Sequence, residues 1–351
     1  MASNPGRKLS TDRPEVKRPR VGLVLAGGGV AGYAFHCGVL FALHHQTGWD
    51  PDSADLVLGT SSGSIVAAGL RAGLSTEEMR QQALDAATQP MAGGAEPRPL
   101  EEMVGVASFR FPDLQGGPSA LSLVTSELRR GHRLRPSHLL TGLLPEGRTP
   151  TSPVGDAIRP LHPNGWPDRD LWITTTEQQT GIRRVFGRDD DSPLIEVAQA
   201  VEASCAVPGY FAPVVVDGVS LVDGGIHSPD NTDLLIGQDL DIVIVSSPLS
   251  IDSVRFGRSP LASLLRAYPR RRLTTNAANL REAGTEVLVI EPDRNLGRAM
   301  GLNAMATNRV EAVIEAAEVF LGRWLDQLDD DDQALLSELS PEQRRSHQYP
   351  G

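Results

Sequence analysis

Cysteine is almost missing from this chain. The two cysteines, Cys37 and Cys205, lie on unrelated segments, which excludes a disulfide framework and a spaced thiolate metal set and reads as two buried thiols. Long apolar runs are missing as well. No stretch approaches the roughly 20 consecutive apolar residues that span a bilayer, and the polar N-terminus lacks the apolar core of a secretion signal, so a cytoplasmic protein is expected. An excess of positive charge is also missing. With 33 Lys and Arg against 44 Asp and Glu, the formal net charge is -11, which excludes a nucleic-acid binder because that function needs a basic surface to displace counterions from phosphates.

What is present is enough apolar material for a core. A chain of 351 residues, 40% of them hydrophobic, is long enough for one large α/β domain. Charge gathers at the two ends. Residues 1–20 are basic, with Arg7, Lys8, Arg13, Lys17, Arg18 and Arg20, and residues 327–351 are acidic, with Asp329, Asp330, Asp331 and Asp332. Both are expected to be solvated tails around a domain of residues 21–326.

The apolar pattern of that domain alternates strand and helix. Residues 21–26 form an apolar run too short for a helix and closed by glycines, as in a buried parallel strand, and Phe35, Val39, Leu40 and Leu43 then recur at helical spacing. Residues 55–58 repeat the plan, followed by Ile65, Val66, Ala68 and Leu70. Ser75 with Glu78 forms a capping box for the next helix. Residues 89–167 loosen into Pro- and Gly-rich connections with short amphipathic pieces at 121–128 and 139–144, a length that suits a lid or substrate-binding insertion. Strands resume at 171–175 and 184–186. Residues 214–222 read as a hairpin around a type I′ turn at Asp217-Gly218. Apolar strands at 241–246 and 286–290 and an amphipathic helix at 309–325 complete a three-layer α/β/α sandwich with a mostly parallel central sheet.

Three clusters carry chemistry. The first, Gly27-Gly28-Gly29-Val30-Ala31-Gly32, lies between a strand and a helix. Its backbone allows close approach, and the helix start offers unpaired N–H groups to negative charge, a phosphate or a developing oxyanion. The same glycines have G-x-G-x-x-G spacing, so a nucleotide- or flavin-binding module is an alternative on this cluster alone. That alternative weakens because Asp55 opens the second strand where a ribose-binding acid should close it. The second cluster, Gly59-Thr60-Ser61-Ser62-Gly63, is a G-x-S-x-G elbow that stands the Ser61 hydroxyl at the head of a helix, with Ser62 and Ser64 as helix-start residues. The third is Val222-Asp223-Gly224-Gly225 at the end of the hairpin. It is preceded by Ala203-Ser204-Cys205-Ala206-Val207-Pro208-Gly209-Tyr210-Phe211-Ala212-Pro213.

In this order and combination, from about residue 21 to 290, the chain resembles the patatin-like phospholipases. The resemblance implies that Ser61 is the nucleophile and that Asp223 activates it without a histidine. It further implies an oxyanion hole at Gly27, Gly28, Gly29 and Gly32, with Gly28 and Gly29 giving the N–H groups, and support from Gly59, Gly63, Gly224 and Gly225. It implies acyl esters of phospholipids, lysophospholipids or acylglycerols as substrates and no organic cofactor; no metal is expected. One departure is Ala31, where the family often carries Arg or Lys, and a catalytically silent scaffold is the reading that this departure favours. An α/β-hydrolase triad is the other rival, but it needs a histidine after the acid. His227 follows Asp223 too closely and His347 lies in the tail, while His36 is expected to pack. Peripheral contact at the inner membrane surface is a further expectation. Its candidate is 261–273, where Leu264, Leu265 and Tyr268 interleave with Arg266, Arg270, Arg271 and Arg272; packing on the sheet is the competing role, and Pro269 is expected to interrupt a long helix there.

Overall fold

The computed structural model describes residues 18–88, 117–129, 135–188, 195–250, 260–301 and 303–339. Its eight strands are β1 (Val21–Leu25), β2 (Leu56–Thr60), β3 (Asp170–Glu177), β4 (Arg183–Phe186), β5 (Val214–Val216), β6 (Val219–Asp223), β7 (Ile242–Ser246) and β8 (Glu286–Ile290). The helices are α1 (Gly29–Thr47), α2 (Ser62–Arg71), α3 (Thr76–Thr88), α4 (Leu121–Arg129), α5 (Pro136–Leu143), α6 (Ser152–Ile158), α7 (Val197–Ser204), α8 (Pro260–Glu282), α9 (Arg294–Met300), α10 (Val310–Asp326) and α11 (Asp330–Leu339). The strands form one sheet in the order β5-β6-β3-β2-β1-β7-β8, with β4 also on β3. β3, β2, β1, β7 and β8 are mutually parallel.

All five residues of β1 are buried, as expected for a strand covered on both faces. Leu23 and Leu25 join the larger core with α1, α2, α7 and α10, while Val24 points into a second core closed by α8. The period of two thus separates the layers. On α8, Leu273, Ala277 and Leu280 recur at helical spacing and are buried against the sheet. This gives the 261–273 stretch a packing role at Leu273. The helix continues through Pro269, contrary to the expected interruption: a helix held by its packed face tolerates the one backbone hydrogen bond that proline forfeits.

The tails are also less separate than expected. Arg18 pairs with Asp55, and the Arg20 N–H donates to Asp241 at 2.6 Å. In the acidic C-terminal segment, α11 buries Leu336 and Leu339 in the main core, because two leucines one turn apart give the helix an apolar stripe. Of the expected 89–167 insertion, residues 89–116 and 130–134 lie outside the described part, and α4, α5 and α6 lie in the rest.

The site depends on one feature of the sheet. β3 has eight residues and outruns the five of β2, which pairs with it as far as Thr60↔Thr174. β4 pairs with Ile173 to Thr176 of β3 and so lies on the side away from β2. β6 pairs antiparallel with Thr175 to Glu177, opposite β4, with Asp223 against Thr175. β6 therefore lies in line with β2, and the two strands meet end to end beside β3. Ser61 and Asp223 are the residues at that junction.

Candidate active site

Ser61 turns the chain from β2 into α2 with φ 52° and ψ -126°, a left-handed conformation rare for a residue with a side chain. The surroundings hold it there. Its N–H donates to Ser204 Oγ at 2.8 Å, and Ser204 Oγ donates to the Thr174 carbonyl at 2.8 Å. Its carbonyl accepts from Ser64 Oγ at 2.6 Å. A Cβ on Gly63 would collide with the Leu25 carbonyl, so the elbow closes only with glycine there.

Asp223, 5% exposed, faces the Ser61 side chain and accepts the Gly225 N–H at 2.7 Å. Burial raises its pKa to about 6, and the Ser61 side chain and the Gly225 N–H keep it from rising further. The loop after it is anchored by Asn231, in the left-handed region at φ 53°. Its Nδ2 donates to the Ser228 carbonyl at 2.7 Å and reaches Thr60 Oγ1 at 3.1 Å and Thr174 Oγ1 at 3.2 Å. Ser204 and Asn231 were both missed as site supports. The first lay in plain view in the Ala-Ser-Cys-Ala segment; the second had no local signal.

The glycine loop divides by what its N–H groups do. Gly27 donates to the Pro229 carbonyl at 3.0 Å and Gly32 to the Gly28 carbonyl at 2.9 Å. The expectation that all four glycines serve the hole is corrected: these two shape the loop, since an N–H already bonded in the fold is not offered to a ligand. The N–H groups of Gly28 and Gly29 have no acceptor among the described residues. Gly29 has φ +62°, and a Cβ on it would press on Met305 Sδ and the Ala304 carbonyl. Ala31 is buried, and its N–H donates to the Ala304 carbonyl at 2.8 Å.

These groups open on an apolar cleft lined by Val30, Tyr33, Ile65, Val154, Cys205, Val207, Phe211 and Met305. Cys205 and Cys37 are both buried; burial pushes the Cys37 thiol up to about 12, and burial with Asp223 nearby pushes Cys205 higher still. His36 packs as expected, between Ser246 Oγ and the Ala26 carbonyl at 2.8 Å each, and burial lowers it to about 4. His227 faces Arg135 Nη1 at 3.1 Å; burial and the Arg183 and Arg135 charges lower it to about 4. His347 lies outside the described residues. Asp55 accepts the Val21 N–H at 2.8 Å where β1 and β2 begin, at the opposite end of these strands from the glycine loop. Among the described residues no cluster of His, Cys, Asp and Glu is arranged to hold a metal.

Among solved structures the chain aligns with VipD from Legionella pneumophila at 14% identity and a TM-score of 0.37, over 86% of this chain and 67% of that one. It aligns with the ExoU–SpcU complex of the Pseudomonas aeruginosa type III secretion system at 21% and 0.33, over 94% and 59%. With human GIVD cytosolic phospholipase A2 bound to methyl gamma-linolenyl fluorophosphonate the values are 11% and 0.38, over 94% and 60%. The chain thus spans between 59% and 67% of those three chains. The model of the patatin-like phospholipases matches residues 23–236, well over half of this chain. That span contains the glycine loop, Ser61, Ser204 and Asp223, and the chain belongs to the patatin-like phospholipase family.

Proposed function

We propose that this chain is a lipid acyl-ester hydrolase working through a Ser61–Asp223 dyad with the N–H groups of Gly28 and Gly29 as oxyanion hole. The placement of Ser61 beside a buried carboxylate of pKa about 6, at the end-to-end junction of β2 and β6, carries the reading. A carboxylate of ordinary pKa is a weak base toward serine, and raising it toward the working pH improves the proton transfer. Ser61 Oγ attacks the ester carbonyl carbon while its proton passes to Asp223. The carbonyl oxygen takes up negative charge at the two free N–H groups and the positive end of α1. Collapse expels the alcohol, protonated by Asp223, and leaves an acyl-serine. Water, giving its proton to Asp223, then attacks the acyl carbon; collapse releases the fatty acid and returns the proton to Ser61.

The apolar cleft suits an acyl chain, whose burial contributes about 0.8 kcal/mol per methylene. Contact with the lipid surface is peripheral in this reading; among the described residues no helix is long and apolar enough to cross a membrane.

A fluorophosphonate ester tests the nucleophile. The wild-type chain is expected to carry the adduct on Ser61 in a peptide digest, and Ser61→Ala to lose both labelling and ester hydrolysis while remaining folded. Labelling that persists in Ser61→Ala overturns the assignment.

A further inference from the structure

One polar atom beside the nucleophile is left over. Ser62 is 4% exposed, and its hydroxyl is sealed from solvent with no hydrogen-bond partner. Its neighbours differ: Ser61 faces Asp223, and Ser64 Oγ donates to the Ser61 carbonyl. Ser62 lines the cleft together with Ser61 and Gly29. It also stands against the first turn of α1, where a Cβ on Gly32 would lie 3.0 Å from Ser62 Oγ. A buried hydroxyl without an acceptor destabilises a fold, so its presence in a well-packed wall points to a group that arrives with the substrate.

We propose that the Ser62 hydroxyl is a third donor of the oxyanion hole, giving a hydrogen bond to the ester carbonyl oxygen as it becomes negative. The inference rests on Ser61 as nucleophile, and makes Ser62 a catalytic residue. It also accounts for a loop without a cation: with Ala31 packed in the core, a neutral side-chain dipole adds the positive end that an Arg or Lys would bring.

The test uses the full chain and a soluble p-nitrophenyl acyl ester. Ser62→Ala is expected to lower kcat about 10- to 100-fold, the scale of one lost oxyanion donor, with KM changed less than about twofold because the bond strengthens only in the transition state. Its denaturation midpoint is expected to hold or rise, since the variant removes an unpaired buried group; a purely structural serine would lower it. Ser62→Cys, a weaker donor of similar shape, should fall between. A Ser62→Ala kcat within about twofold of wild type, or a lost kcat that tracks a lost midpoint, overturns the inference. Fluorophosphonate mapping separates its failure from that of the dyad. Slowed labelling still on Ser61 in Ser62→Ala supports it, unchanged labelling rates on Ser61 defeat it alone, and a wild-type adduct on Ser62 defeats both readings.

Discussion

The two edges of the sheet formed by the starts and by the ends of its parallel strands treat their polar groups in opposite ways. At the edge away from the cleft Arg71, Asp52, Asp55 and Ser75 are all answered. Arg71, with its side chain fully buried, donates to the carbonyls of Asp52, Ala54 and Asp170 and to the Asp52 carboxylate at 2.8–3.1 Å. Asp55 receives the first N–H of β1, and α3 begins with the Ser75–Glu78 capping box, in which the Ser75 N–H meets Glu78 Oε2 at 2.8 Å. At the cleft edge, α1 and α2 both begin without a side-chain cap. Ser61 sits in a strained backbone conformation, Ser62 keeps an orphan hydroxyl, and Asp223 is pushed to about 6 by burial. One edge stabilises the fold and the other spends stability on groups held ready for a ligand.

Asp223→Asn should break the contrast most sharply. The amide keeps the shape but cannot take the serine proton, so kcat is expected to fall about a thousandfold. In the wild type the carboxyl binds a proton near pH 6 when folded and near 3.8 when unfolded. Between those values the native state holds more protons, so stability is greatest below the window and is lost as pH rises through it. The loss is about 3 kcal/mol for a shift of about two units. Urea midpoints should therefore show Asp223→Asn more stable than wild type near pH 8, the difference closing toward pH 4, while wild-type kcat rises with pH through about 6. A variant less stable than wild type at alkaline pH would contradict the burial argument.

On the opposite edge, Arg71→Ala removes a cation that answers three carbonyls and a carboxylate. It should destabilise by about 3–5 kcal/mol, yet leave kcat per fluorophosphonate-reactive molecule within about twofold of wild type. A specific loss of kcat in the folded fraction would show that the two edges are coupled. The smallest effect is expected for Ser75→Ala, about 1 kcal/mol from the lost cap, read as a lower melting temperature with unchanged turnover.

Much of this was legible because it is local. The glycine loop, the elbow and the Asp-Gly-Gly turn each lie within a few residues, and the hairpin turn at Asp217-Gly218 has the positive φ at both positions, 47° and 79°, that its dipeptide implied. The demotion of the histidines was legible too: His36 and His227 face Ser246 and Arg135. Other readings failed where the deciding partner is remote. Gly27 and Gly32 look equivalent to Gly28 and Gly29 in sequence, yet the Pro229 carbonyl claims one of them. The acidic tail hid two leucines with a core to enter.

The sequence by itself determined the order of strands and helices, the layered α/β class and the residue types at the site, since these follow from side-chain period, turn chemistry and backbone sterics within short windows. The tertiary structure alone decided that β6 would come to rest in line with β2, bringing Asp223 to Ser61 across 162 positions of chain. It also decided that Ser204, Thr174 and Asn231 would lock the junction. The reason is that strand register and remote hydrogen bonds are chosen by which surfaces the whole chain can bury together, and no short stretch of residues carries that choice.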